Sequence, residues 1–408
     1  MLKHLEPPAL HPRSVRQILS DFGGTYAANA LIGFIFAATG PVAVILTVGT
    51  RGGLSPQELA SWVFGVFFVN GLISLLMSWR YTTPLAFGWT IPGTVLVGPA
   101  LQHLTFPEVI GAFYVTSALV LVLGLSGWVK RLMSALPMPI VMGMVAGVFL
   151  RFGLDIVRAL QSDVAIAAPM VVVFVLLSAN ADWAKRMPPV IGALLVGAVS
   201  VALSGRMDAA AMGQLSLAQP VIQAPAWSWA AMLELVLPLA ITVLVVQNGQ
   251  GVAVLKNAGH APPVNMIAVA CGLGAALSAV FGAVSSCLTG PTNGLLTSSG
   301  EKQRHYIGAL IFGLLALLFG LMAPTFTSLM LAAPKEFIMV LGGLAMLRVL
   351  QGAFVASFGA GRYSLGALVS LLVTVADIGL FNIGAAFWGL VAGFAVSWWM
   401  ERGDFQNR

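Results

Sequence analysis

Charge is what this 408-residue chain has least of. Only 8% of its residues are Asp, Glu, Lys or Arg, against 59% hydrophobic residues. A soluble domain carries roughly a quarter charged residues, because polar side chains must cover its surface. So small a supply leaves lipid as the solvent for most of the surface and excludes an ordinary soluble enzyme. Cysteine is scarce as well. Cys271 and Cys287 are the only two, both in apolar segments, so a disulfide scaffold and a Cys-rich metal site are excluded. No run of Lys and Arg exceeds two residues, so the net charge of +6 is not gathered into a nucleic-acid-binding patch. The N-terminus is polar, with Pro7, Pro8 and Pro12, and lacks the apolar core of a signal peptide. No metal-ligand cluster, nucleophile triad or phosphate loop is present, so no catalytic residue, metal or cofactor is expected.

What is present is a succession of apolar runs, with a mean hydropathy of +0.94. A membrane-crossing helix needs about 20 mostly apolar residues. Fourteen spans are expected, seven near 26–49, 57–79, 84–103, 108–127, 138–157, 164–181 and 188–204. A polar loop at 205–230 follows, then seven more near 231–255, 264–283, 286–298, 306–323, 334–356, 363–379 and 381–400, with short tails at 1–25 and 401–408. With the N-terminus in the cytoplasm, 14 of the 20 basic residues fall on the cytoplasmic side, among them Lys3, Lys130 and Arg408. Four (Arg51, Arg158, Arg206 and Lys335) fall outside, and Arg151 and Arg348 lie within spans. That bias places both termini inside and favours an even number of spans.

The halves resemble each other. Leu132-Met133, Pro137 and Leu150-Arg151 recur as Leu329-Met330, Pro334 and Leu347-Arg348, at a constant offset (334 − 137 = 197; 348 − 151 = 197). Near the start of each half, Val42-Ala43-Val44 recurs as Val252-Ala253-Val254. Seven spans per half would turn the second half over relative to the first, giving the inverted repeats of secondary transporters. The expected fold is therefore an all-α polytopic membrane protein of two inverted seven-segment repeats.

Two spans in corresponding places are broken. The third contains Trp89-Thr90-Ile91-Pro92-Gly93 and the tenth Gly290-Pro291-Thr292-Asn293-Gly294. Proline interrupts the helical hydrogen-bond ladder, and irregular backbone at membrane depth persists only where protein or a wet cavity satisfies it. Each is read as a short extended stretch followed by a half-helix, starting near Thr90 and near Pro291. Neither broken span holds a Lys or Arg, so an anion between them would meet backbone N–H groups and positive helix ends. Simple kinked packing helices are the alternative reading. The eighth span holds three amides, Gln247, Asn248 and Gln250. Amides at mid-span face either a cavity or a neighbouring helix. Thr39-Gly40-Pro41 occupies the equivalent place in the first span, and Phe87 and Trp89 offer rings to an aromatic ligand. Asp155, four residues after Arg151, is expected to pair with it, and Glu234 and Asp377 are read as interfacial. No histidine or carboxylate pair stands out as a proton relay.

Ala60-Ser61-Trp62, Arg80-Tyr81-Thr82-Thr83-Pro84, the Trp89–Gly93 break and Leu150-Arg151-Phe152-Gly153-Leu154-Asp155 together resemble the bacterial BenE-type benzoate/proton symporters. The resemblance covers nearly the whole chain. It implies a fold like the uracil and SulP-type anion transporters, with a core domain from segments 1–4 and 8–11 and a gate domain from segments 5–7 and 12–14. Transport would move core against gate, like an elevator, in the bacterial inner membrane. The implied substrate residues are Trp89, Thr90 and Gly93, then Gln247 and Gln250, then Thr292, Asn293 and Gly294. The implied partners are a small aromatic carboxylate, protons and the lipid bilayer; a homodimer is left open. Nucleobase carriers of this fold place carboxylates in segments eight and ten, where this chain has Gln247 and Thr292 or Asn293. That departure suits a substrate that is itself an anion and leaves the proton carrier unassigned. A nucleobase or inorganic-anion carrier of the same fold is the alternative.

Overall fold

The computed structural model describes residues 4–9, 12–129, 131, 137–208, 215–378, 380 and 385–406. Lys3, Lys130, Leu132, Met133 and Arg408, used in the charge tally and the repeat, lie outside them. The first half runs α1 (Val15–Asp21), α2 (Gly24–Ala38), α3 (Gly40–Arg51), α4 (Pro56–Tyr81), β1 (Phe87–Trp89), α5 (Ile91–Ala100), α6 (Phe106–Ser126), α7 (Met138–Ser162), α8 (Val164–Ala179), α9 (Ala181–Arg186) and α10 (Pro189–Ser204). The second runs α11 (Trp229–Asn257), α12 (Val264–Val280), β2 (Ser286–Leu288), α13 (Gly290–Leu296), α14 (His305–Leu321), α15 (Ala323–Leu331), α16 (Lys335–Phe358), α17 (Ser364–Ala376), α18 (Ala385–Met400) and α19 (Arg402–Gln406). Among the described residues seven helices are long and apolar enough to cross a membrane, and six more are shorter but apolar.

Local chemistry sets the helix ends. Ser55 and Thr105 each form reciprocal caps with an acid three residues on, Glu58 and Glu108. Outward faces are apolar at one-turn spacing. Leu72 and Leu76, Leu273 and Leu277, and Leu314 and Leu318 are all exposed, which only lipid tolerates. Helices from different halves pack directly: α4 on α14, α6 on α12, α7 on α16. At the α4–α14 crossing, a Cβ at Gly71 would come within 2.8 Å of the Gly313 carbonyl oxygen. Glycine there lets the two backbones touch.

Several expectations shift. The first span is broken at Thr39 (φ −103°, ψ −90°), because Pro41 at the start of α3 has no N–H to continue the ladder. The eighth span loosens into π-helical turns at Met232–Val236 and Thr242–Gln247. Pro238 cannot donate back one turn, and the first widened stretch lies there. The N-terminal tail is anchored, with the Glu6 carboxylate accepting from the backbone N–H groups of Asn265 and Met266 at 3.1 and 3.2 Å. Asp155 does not pair with Arg151. It is buried and binds Arg51 (2.9 Å) and Arg158 (3.1 Å), while Arg151 reaches across to Asp377. Helical spacing favours an i, i+4 pair but cannot anticipate a partner supplied by another helix. Glu234, at the start of the eighth span, is 5% exposed and lies 2.8 Å from His103.

Candidate substrate site

β1 and β2 form an antiparallel pair with Phe87 opposite Leu288, Gly88 opposite Cys287 and Trp89 opposite Ser286. Two further backbone bonds extend it, Thr90 N–H to Ser285 O (3.0 Å) and Thr289 N–H to Ala86 O (3.1 Å). Two strands of three residues cannot satisfy their outer edges alone, so side chains finish the ladder. From α4, Ser74 accepts from Phe87 N–H (2.8 Å) and Ser78 from Leu85 N–H (3.1 Å). From α11, Asn248 accepts from Leu288 N–H (2.7 Å). From α13, Asn293 accepts from Ala86 N–H (3.0 Å) and donates to the carbonyls of Ala86 (2.9 Å) and Thr289 (2.7 Å).

The half-helices leave this pair in unlike ways. Thr90 caps α5, accepting from Gly93 N–H at 3.1 Å and donating to Thr242 at 3.0 Å. The start of α13 has no side-chain cap.

Beside the strand pair lies a cavity of about 440 Å³, within the usual range for small-ligand sites of roughly 300–1,000 Å³. It runs from the half-helix starts to the end of the bundle where α7 begins and α16 ends, reaching Met138 and Ala356. Phe36, Phe67, Phe87, Trp89, Phe149 and Phe312 contribute aromatic rings to its mostly apolar wall. Phe67 and Trp89 have ring centroids 5.0 Å apart.

Of the eight residues singled out in the sequence, Trp89, Gln247, Gln250 and Thr292 border this cavity. Gln247 is 8% exposed, and neither its amide nor that of Gln250 has a hydrogen-bond partner among the described residues. Thr90, Gly93, Asn293 and Gly294 stand behind the lining. Thr90 and Asn293 are fully buried and spend their polar atoms on backbone and Thr242. The third amide of the eighth span, Asn248, braces a strand and does not face the cavity.

Trp89 Nε1, Thr289 Oγ1 and Asn70 Oδ1 are buried at the cavity without a partner among the described residues, two donors and one acceptor. Trp89 was singled out in the sequence; Thr289 and Asn70 escaped that reading. Thr289 sits just before the Gly-Pro break and was legible there. Asn70, mid-helix in α4, carried no signal. The His103–Glu234 contact also escaped, since 131 residues separate its members. His260, in the loop after α11, lies 3.1 Å from His305. Burial first, then the facing His305 and Lys302, push its pKa down to about 4, so it is uncharged at neutral pH.

Among the described residues, the cavity lining has no Asp, Glu, His or Cys. An enclosed cavity within a lipid-facing helical bundle, beside a strand pair shared by the two halves, suits a membrane transporter. Residues 24–398 match the family model "Benzoate membrane transport protein", and the chain belongs to that BenE family. It is 31% identical to inner membrane protein YdcO of Escherichia coli, over 89% of this chain and 91% of that one. It is 25% identical to the benzoate membrane transport protein of Acinetobacter baylyi, over 93% and 96%. Among solved structures, the transmembrane domain of the cyanobacterial bicarbonate transporter BicA superposes with a TM-score of 0.62 at 16% identity, covering 91% of this chain and 98% of that one. SLC26A9 superposes at 0.66 with 15% identity, covering 94% and 67%. These two likenesses concern the fold.

Proposed function

We propose that this protein imports benzoate or a related aromatic carboxylate across the bacterial inner membrane, with protons as the coupling ion. One observation carries the reading. The cavity combines aromatic rings in its wall with the unpartnered amides of Gln247 and Gln250, and no Asp or Glu among the described residues borders it. Amide and indole N–H groups donate to a carboxylate, and rings stack on its aromatic part. The same walls disfavour sulfate, and the missing acid disfavours nucleobases. The carboxylate lies toward the starts of α5 and α13, near Trp89, Thr289 and Thr292, with Thr90, Gly93, Asn293 and Gly294 shaping the backbone behind it.

Two inverted seven-segment repeats are part of this proposal, supported by the strand pairing between halves and by helix bounds that keep the offset of 197 (α7 from Met138, α16 from Lys335). So is movement of a core against a gate. Supporting it, α7, α8, α10 and α16–α18 pack mainly on one another. Both termini are placed in the cytoplasm. A cysteine at Leu217 should label from outside and one at Lys302 from inside, since the native cysteines are buried; the reverse pattern overturns this orientation.

The reading is tested with purified protein in proteoliposomes, offering radiolabelled benzoate, uracil and sulfate with and without an inward proton gradient. Benzoate should accumulate only with the gradient. Uptake of uracil or sulfate in preference refutes the assignment. Gln247→Ala should weaken benzoate binding by about 1–3 kcal/mol, roughly 5- to 150-fold, at unchanged protein abundance. Wild-type affinity in that variant removes Gln247 from the site.

A further inference from the structure

Two arginines occupy matching places in the two halves, but only one has an acid. Arg151 on α7 pairs with Asp377, the residue that ends α17. That pair lies beside a small cavity of about 40 Å³, walled by Val95, Leu96 and Glu234, where the helix sets are closed on each other. Arg348 on α16 stands 197 residues after Arg151. The residue 197 before Asp377 is Asn180 (377 − 180 = 197), which ends α8 just as Asp377 ends α17. Asn180 carries no charge. Its side-chain oxygen already accepts from the backbone N–H groups of Asp182 (2.9 Å) and Trp183 (3.3 Å).

Among the described residues, Arg348 is therefore left without a counterion. Its guanidinium donates to Gln351 at 3.1 Å, and among the described residues no carboxylate lies within ion-pair distance of it. It borders the aromatic cavity on one side and, with Ser178 and Ala179, an outer groove between α8 and α16 on the other. It is the only Lys or Arg on the cavity wall among the described residues. The residue is exposed, and a guanidinium without a counterion at the edge of an apolar-walled cleft attracts anions and raises their local concentration.

We propose that Arg348 is a transient carboxylate-binding group at the cavity mouth, where the passing substrate supplies the negative charge that Asp377 supplies to Arg151. Where the opposite end is latched by protein alone, this end is completed by its cargo. The class of ligand is a small monocarboxylate with an apolar body. The inference rests on the anionic substrate proposed above. It adds a second station, distinct from the Gln247–Gln250 region, that acts on the rate of exchange and not on resting affinity.

The test compares wild type, Arg348→Gln, Arg348→Lys, Asn180→Asp and the double variant Asn180→Asp/Arg348→Gln, measuring equilibrium benzoate binding and uptake rate at low benzoate. Arg348→Gln should slow uptake about tenfold or more, abolish the dependence of the association rate on ionic strength, and change Kd by no more than about twofold. Arg348→Lys should restore most of the rate. Asn180→Asp should give Arg348 a permanent partner and slow uptake toward the rate of Arg348→Gln, and the double variant, with a lone carboxylate at the mouth, should be slower than Arg348→Gln alone. Wild-type uptake in Arg348→Gln overturns the proposal. So does a rise in Kd that matches the loss of rate, because Arg348 would then belong to the resting site. If wild type itself binds no carboxylate, the substrate assignment fails, and the Arg348 comparison is not what sank it.

Discussion

Asn293→Asp is expected to abolish uptake and to lower the melting temperature of the purified protein markedly. Sequence reasoning expects damage there because a second anion would face the ligand, but the geometry supplies a different cause. Asn293 is fully buried and does not border the cavity. Its Nδ2 faces the carbonyl oxygens of Ala86 and Thr289 at 2.9 and 2.7 Å. A carboxylate in its place would set an anionic oxygen against both acceptors with no water to relieve it. Several kcal/mol is the expected penalty for an ion so buried and so badly partnered. Asn293→Ala should be milder, leaving the Ala86 N–H unsatisfied at about 1–3 kcal/mol, while the Ala86 and Thr289 carbonyls keep their bonds from the backbone N–H groups of residues 289 (3.1 Å) and 293 (3.3 Å). Thermal melts in detergent, paired with uptake, check both. An aspartate variant that melts and transports like wild type removes Asn293 from its bracing role.

The second large effect separates two glycines that look alike in sequence. Gly93→Val should cost transport at least tenfold, whereas Gly294→Ala should behave as wild type. A Cβ at Gly93 would lie 2.8 Å from Leu239 Cδ2 and 3.1 Å from the Thr90 hydroxyl. Thr90 joins α5 to α11 through Thr242, so valine there pushes on the cap and on the eighth span together. Overpacking of this kind costs about 1–3 kcal/mol, and the displaced α5 carries Ile91 and Pro92 in the cavity wall. At Gly294 an added methyl would meet only Val254, at an ordinary 3.6 Å. Uptake by both variants at matched abundance decides the matter. A competent Gly93→Val, or a dead Gly294→Ala, refutes the distinction.

Much of the architecture was legible because lipid leaves few alternatives. Long apolar runs marked the helices, and Pro and Gly at mid-membrane marked the two broken spans. The paired strands at Phe87–Trp89 and Ser286–Leu288 follow from that logic. The half-helix starts lie one residue from expectation, α5 at Ile91 after its Thr90 cap and α13 at Gly290, before Pro291, after its Thr289 cap. Within the site, amide chemistry identified Gln247 and Gln250, but composition could not say which amides look inward. That depends on the rotation of α11, which its π-helical turns reset. Partnerships across the chain were invisible. Arg51 with Asp155 spans 104 residues and His103 with Glu234 spans 131, distances over which local spacing says nothing.

The strand pair also constrains how the chain can be made. Asn293 reaches Ala86 across 207 residues, and every backbone bond of β1 to its partner strand waits on residues beyond 284. While the first half is already threaded into the bilayer, Phe87 to Thr90 have their inner edge bare. Unpaired peptide groups in hydrocarbon cost several kcal/mol each. During synthesis that stretch must therefore stay in contact with water, or with the insertion machinery, until residues 285–293 arrive. A protein truncated before that point would retain apolar helices but would have no half-site to keep, and a quality-control protease would meet an exposed, extended strand at residues 84–90.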